Sequence, residues 1–139
     1  MFSKSNLLAT LVAGVVMFFL GYLIWGIATA DFFEEHSLVN VMKEVPNLGL
    51  IALGNIVGAF ILSTLYSKWA RGNHSLAQGF QFGALIGAFV GISMGLIWYA
   101  TSEWMDGTGH IAEAVIDILY YGIVGAIIAL IYQKTAAKE

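Results

Sequence analysis

The stretch "GFQFGALIGAFVGISMG", Gly79–Gly95, decides how this chain is read. Glycine recurs at 79, 83, 87, 91 and 95, always four residues apart, with bulky apolar residues between. In water this is a poor helix, because glycine weakens a helix interior by roughly 1 kcal/mol relative to alanine. In lipid the backbone has no competing solvent, so the helix survives. There each glycine lets a second helix approach backbone to backbone. Gly79, Gly83, Gly87, Gly91 and Gly95 are therefore expected to form a packing stripe, widened by Ala84 and Ala88. At 3.6 residues per turn the stripe winds about 40° per step, which suits a right-handed crossing.

The rest of the chain agrees with a lipid solvent. Of 139 residues, 59% are hydrophobic and 11% charged, with mean hydropathy +0.81. A soluble domain carries about 25% charged residues. There is one proline and no cysteine, which excludes a disulfide framework and cysteine metal sites. No basic tract points to nucleic acid.

Spanning a bilayer takes about 20 apolar residues, and four stretches qualify: residues 7–29, 48–66, 79–101 and 112–132. The first exceeds the apolar core of a signal peptide and reads as a membrane helix. Connections sort by charge. Lys4, Lys68, Arg71, Lys134 and Lys138 fall at one end of the spans, leaving Lys43 as the one basic residue at the other. That other end carries Asp31, Glu34, Glu35, Glu44, Glu103, Asp106 and Glu113. By the positive-inside rule both termini and the 67–76 loop are cytoplasmic. Trp25, Trp98 and Trp104, and Tyr66, Trp69 and Tyr132, are placed for interfacial aromatic belts. Between spans one and two, Ser37 can cap a short interfacial helix presenting Leu38, Val41, Met42 and Val45. An irregular loop is the alternative.

The chain also reads as two copies of a helical hairpin, residues 7–70 and 79–136, within one four-helix domain. "LIWGIATADFFE" (Leu23–Glu34) aligns with "LIWYATSEWMD" (Leu96–Asp106), and "IVGAFILSTLYSKWA" (Ile56–Ala70) with "IVGAIIALIYQKTA" (Ile123–Ala136). The register pairs Trp25 with Trp98, Gly14 with Gly87, and Tyr66 with Tyr132. A two-span unit returns to its starting side, so the copies are related by an axis along the membrane normal. The fold class expected is an all-α integral membrane protein of four helices.

Polar residues inside spans are the functional candidates. Asp117 lies about a turn and a half inside span four, and Glu113 sits one turn away on the same face. An intramembrane carboxylate is costly and faces the bundle or water. Asp117 can bind a cation, relay a proton, or reach the interface. Asn55 and Ser93 lie deeper and are expected to hydrogen-bond neighbouring helices. Gln78 and Gln81 belong to the inner boundary of span three. His36, His110 and Asp106 offer a weak divalent-cation set at the acidic rim, against a plain solvated loop. No metal motif such as H-E-x-x-H is present. With all three histidines outside the apolar cores, a bundle haem is not expected, nor is any other cofactor.

"GYLIWG" near the end of span one, "GFQFGALIGAFVG" opening span three and "YYGIVGAIIALIY" in the last helix resemble the small bacterial membrane proteins grouped as domain of unknown function 1761. Where that family often carries Trp-Tyr-Ser-Pro after span one, this chain has Trp25, Gly26, Ile27 and Ala28. The resemblance implies a four-span bacterial membrane protein, expected in the inner membrane, and transfers no catalytic residue. The function expected is non-enzymatic: association through helix packing, as a homo-oligomer or an accessory subunit of a membrane complex. The alternative is a small transporter or channel for a cation or small solute, using the acidic rim and Asp117. A lipid-directed enzyme, the third class, lacks any nucleophile constellation.

Overall fold

A computed structural model describes residues 2–136. Its helices are α1 (Lys4–Gly21), a π-helical continuation π1 (Tyr22–Ala28), α2 (Ala30–His36), α3 (Leu48–Ala70), α4 (Leu76–Ala88), π2 (Phe89–Met94), α5 (Gly95–Thr101) and α6 (Gly107–Thr135). They form four helices long and apolar enough to cross a membrane: Lys4–Ala28, Leu48–Ala70, Leu76–Thr101 and Gly107–Thr135. Each starts on a polar cap whose side chain accepts a backbone N–H from the first turn: Ser3, Asn47, Ser75 and Asp106. Such caps satisfy donors that a helix start leaves orphaned, and they explain why the helices begin at or before the apolar runs. Between α3 and α4, Arg71 and Gly72 adopt positive φ of 49° and 82° and reverse the chain within a few residues. Lys138 lies outside the described residues.

Packing runs in the order α3, α1, α6, α4, with α3 touching α4 and α6 over much shorter stretches. The core is small and tyrosine-rich: Ala9, Ala13, Ala59, Ala129, Val124 and Ile128 close around Tyr66, Tyr120 and Tyr132. Much of the remaining leucine, isoleucine and valine surface is exposed, which is expected where the neighbour is lipid.

The tightest interface is α4 with α6, and glycine makes it. A Cβ added at Gly79 meets the carbonyl of Gly125; at Gly83, that of Tyr121; at Gly87, Ile118 Cα at 2.6 Å; at Gly91, Ala114 Cα at 2.6 Å. The partners step back along α6 as the glycines step forward, as an antiparallel pair requires. Gly95 departs from the expected stripe: nothing lies within 4 Å of its added Cβ. Successive steps of 40° sum to roughly 160° by the fifth glycine, and α5 has turned away from α6 there. The α1–α3 interface has one equivalent contact, Gly14 against Ile56.

Several other expectations change. Residues 38–47 form no helix; the helix in this connection is α2, upstream. Ser37 is its C-cap rather than an N-cap, and its hydroxyl donates to the Phe33 carbonyl at 2.6 Å. Ser93 is exposed and makes no side-chain hydrogen bond among the described residues, because π2 turns it away from α6. Tyr66 and Tyr132 are core residues, not belt residues, and their rings meet edge-on at 5.6 Å. Trp98 and Trp69 are exposed at opposite ends.

Candidate functional site

The two candidate carboxylates of α6 sit where three spans converge. Asp117 is 6% exposed, and its side chain makes no hydrogen bond to a described residue. Glu113, one turn towards the acidic end, is half-buried. It accepts a hydrogen bond from the indole Nε1–H of Trp25 at 2.9 Å. Trp25 stacks edge-on against Tyr120 with centroids 4.9 Å apart, and the Tyr120 hydroxyl donates to the Met17 carbonyl at 3.0 Å. Span one is thereby tied to span four above and below the acid pair.

Two π-helical segments flank this pair. π1 carries Trp25, and π2 carries Gly91, whose added Cβ meets Asp117 Cβ at 3.1 Å. π1 closes with the Thr29 N–H and hydroxyl both on the Ile24 carbonyl, at 2.9 and 2.8 Å. A π turn inserts an extra residue, re-aims the side chains beyond it, and recurs at functional sites. The absent side chain at Gly91 admits Asp117 to the interface. The arrangement presents one bonded and one unbonded carboxylate in an apolar interior, able to gain a proton or a cation.

At the acidic end, α2 and the loop before α6 are latched. Ser37 pairs with Met105 as an isolated antiparallel bridge; the Asp106 N–H donates to the His36 carbonyl at 3.0 Å, and the Leu38 N–H to that of Trp104 at 2.9 Å. His36 Nδ1 and Asp106 Oδ2 lie 2.8 Å apart. The Gly109 N–H, then the His36 contact, hold the Asp106 carboxyl below its usual range. His110 does not join them. Its ring lies against Tyr99 and Trp104, and its Nε2 is buried without a partner. Among the described residues no three His, Cys, Asp or Glu side chains are grouped to hold a metal. Asp31, Glu34, Glu35 and Glu103 are exposed.

A second polar cluster, unanticipated from sequence, lies at the basic end. Asn6, 2% exposed, donates from Nδ2 to Thr64 Oγ1 at 3.1 Å, and its carbonyl accepts from Thr10 Oγ1 at 2.8 Å. Ser63 and Tyr132 meet at 3.4 Å, and Thr135 Oγ1 donates to Ser5 Oγ at 2.7 Å. His74 reaches back to the Tyr66 hydroxyl at 3.4 Å, and burial lowers its pKa from 6.5. Gln78 has its Oε1 buried without a partner, and Gln81 is exposed. The matched positions of Tyr66 and Tyr132 were the one sequence signal for this cluster. Asn55, half-buried on α3, makes no side-chain hydrogen bond among the described residues. No family model matches the chain, and no curated protein or solved structure matches it either.

Proposed function

We propose that the chain is a four-span membrane protein in which Glu113 and Asp117 take up a proton or a small cation within the bilayer. The observation that carries this reading is the burial of Asp117 with no hydrogen-bond partner, one turn from a second carboxylate. Ionisable groups inside a span are expensive and mark ion or proton pathways. The flanking π segments add support. Charge asymmetry supports cytoplasmic termini and an acidic face outside, in a bacterial inner membrane as the family resemblance implies. The matched motifs support a tandem duplication, with the glycine-lined copy as the tighter hairpin. No part of this reading requires enzymatic chemistry or a cofactor.

The test is flux. Purified protein in liposomes, under an imposed K⁺ diffusion potential, is assayed with an internal pH dye and with Na⁺ as alternative cation. Wild-type flux above empty liposomes and its loss in Asp117→Asn are expected. Asp117→Asn flux equal to wild type, or no wild-type flux of either ion, overturns the proposal.

A second reading, assembly as a homo-oligomer or accessory subunit, draws on a separate observation. The face of α3 that carries Leu53, Gly54 and Val57 is exposed, with open space beside Gly54 and no side-chain hydrogen bond at Asn55. Intramembrane Asn side chains commonly bond across helices. Cysteine cross-linking at Leu53 and Val57 in native membranes tests it: cross-linked dimers are expected, and their loss in Asn55→Leu.

A further inference from the structure

A void lies between α5 and α6. π2 and α5 leave α6 after Gly91, and the space beside Gly95 stays open. The result is a groove of about 550 Å³. Gly91 and Ala114 form its floor, Leu96 and Ile118 its walls, and Tyr99 and His110 its loop end. From Gly91 to Tyr99 it runs along eight residues, about 12 Å of helix.

Two facts restrict the occupant. The walls are almost wholly apolar, yet the imidazole of His110 at the loop end makes no hydrogen bond to a described residue; its Nε2 is buried, which leaves Nδ1 as the accessible ring nitrogen. An accessible imidazole nitrogen at the end of an apolar groove offers one hydrogen bond to a polar group there. A ligand of small-molecule size fits, since such sites measure about 300–1,000 Å³.

We infer that the α5–α6 groove holds one apolar chain of a bilayer lipid, with an oxygen of the lipid's polar end hydrogen-bonded to His110 Nδ1. This rests on membrane insertion of the four spans, and not on any role for Asp117. The chain lies along Leu96 and Ile118, and the lipid's polar end reaches the loop end, where His110, Tyr99 and Gly107 begin the connection.

The probe is a phosphatidylglycerol carrying a diazirine in its acyl chain, incorporated in vesicles with the full-length protein. After irradiation, labelled residues are mapped by peptide mass spectrometry. Labelling concentrated at Leu96 and Ile118, above that of Leu23, which is exposed on π1, is expected. Gly95→Leu fills the groove from an open position and removes the concentrated label while Leu23 labelling persists. His110→Phe lowers lipid retention about tenfold, the equivalent of about 1.4 kcal/mol. Asp117→Asn labels like wild type, so flux and lipid binding fail separately. Even labelling of all exposed residues, unchanged labelling in Gly95→Leu, or cross-linked dimers that shield Leu96 overturns the inference.

Discussion

The indole of Trp25 and the carboxylate of Glu113, 88 residues apart, are joined by one hydrogen bond of 2.9 Å. Across an apolar interior that bond fixes how π1 meets α6. Removing the donor leaves a half-buried carboxylate without it. Trp25→Phe is expected to destabilise the protein by about 1–3 kcal/mol, the scale of a bond to a carboxylate. A double-mutant cycle with Glu113→Gln in detergent should return a coupling above about 0.5 kcal/mol. Additive single effects would show that the contact carries no energy.

The glycine stripe yields a contrast within one helix. Gly83→Ala sets a methyl into the Tyr121 carbonyl, a backbone atom that cannot move aside. Overpacking of this kind costs about 1–3 kcal/mol. Gly95→Ala meets open space and removes glycine's conformational freedom, so it should be neutral or stabilising by about 0.5–1 kcal/mol. Thermal unfolding of the two variants in the same detergent decides. Equal effects would mean that the α4–α6 backbones are not in contact.

What the sequence disclosed follows the same division. The four spans were legible because length and hydropathy are local properties, and Asp117 with Glu113 because carboxylates stand out in an apolar run. Gly79 to Gly91 were legible because spacing fixes a face. Gly95 was not, because the face drifts along the helix and α5 diverges. Trp25 read as a belt residue, since nothing nearby in sequence announces Glu113. Neither π1 nor π2 has a local signature: "YLIWGIA" and "FVGISM" are ordinary apolar sequence. The network of Asn6, Ser63 and Thr64 depends on which helices become neighbours, which periodicity leaves open.

Asp106 has two tasks, capping α6 through Gly109 N–H and pairing with His36. Its carboxyl is depressed, so its stabilisation is present above the ordinary Asp range and is lost as pH falls through the lowered value. Hydrogen exchange at Leu38 and Gly109 should therefore stay slow near neutrality and accelerate only in acid below about pH 4. Asp106→Asn keeps a good cap but removes the carboxylate that faces His36, so exchange at Gly109 should change less than in Asp106→Ala. Equal acceleration in both variants would assign the whole effect to the charge.

His74 supplies the opposite end with a titratable group in the neutral range. Its ring lies 5.1 Å from that of Tyr132 and 5.7 Å from that of Tyr66, and burial disfavours the imidazolium. A histidine with lowered folded pKa contributes fully above its unfolded value, near 6.5, and that contribution is lost as pH falls through the folded value. The melting temperature should thus decline on acidification from about pH 7 to 5. His74→Phe keeps a ring against both tyrosines and removes the titration, so its melting temperature should fall less over the same interval. Parallel pH profiles for wild type and His74→Phe would show that His74 does not carry the dependence. A steeper profile in the variant would mean that the protonated ring stabilises the turn between α3 and α4.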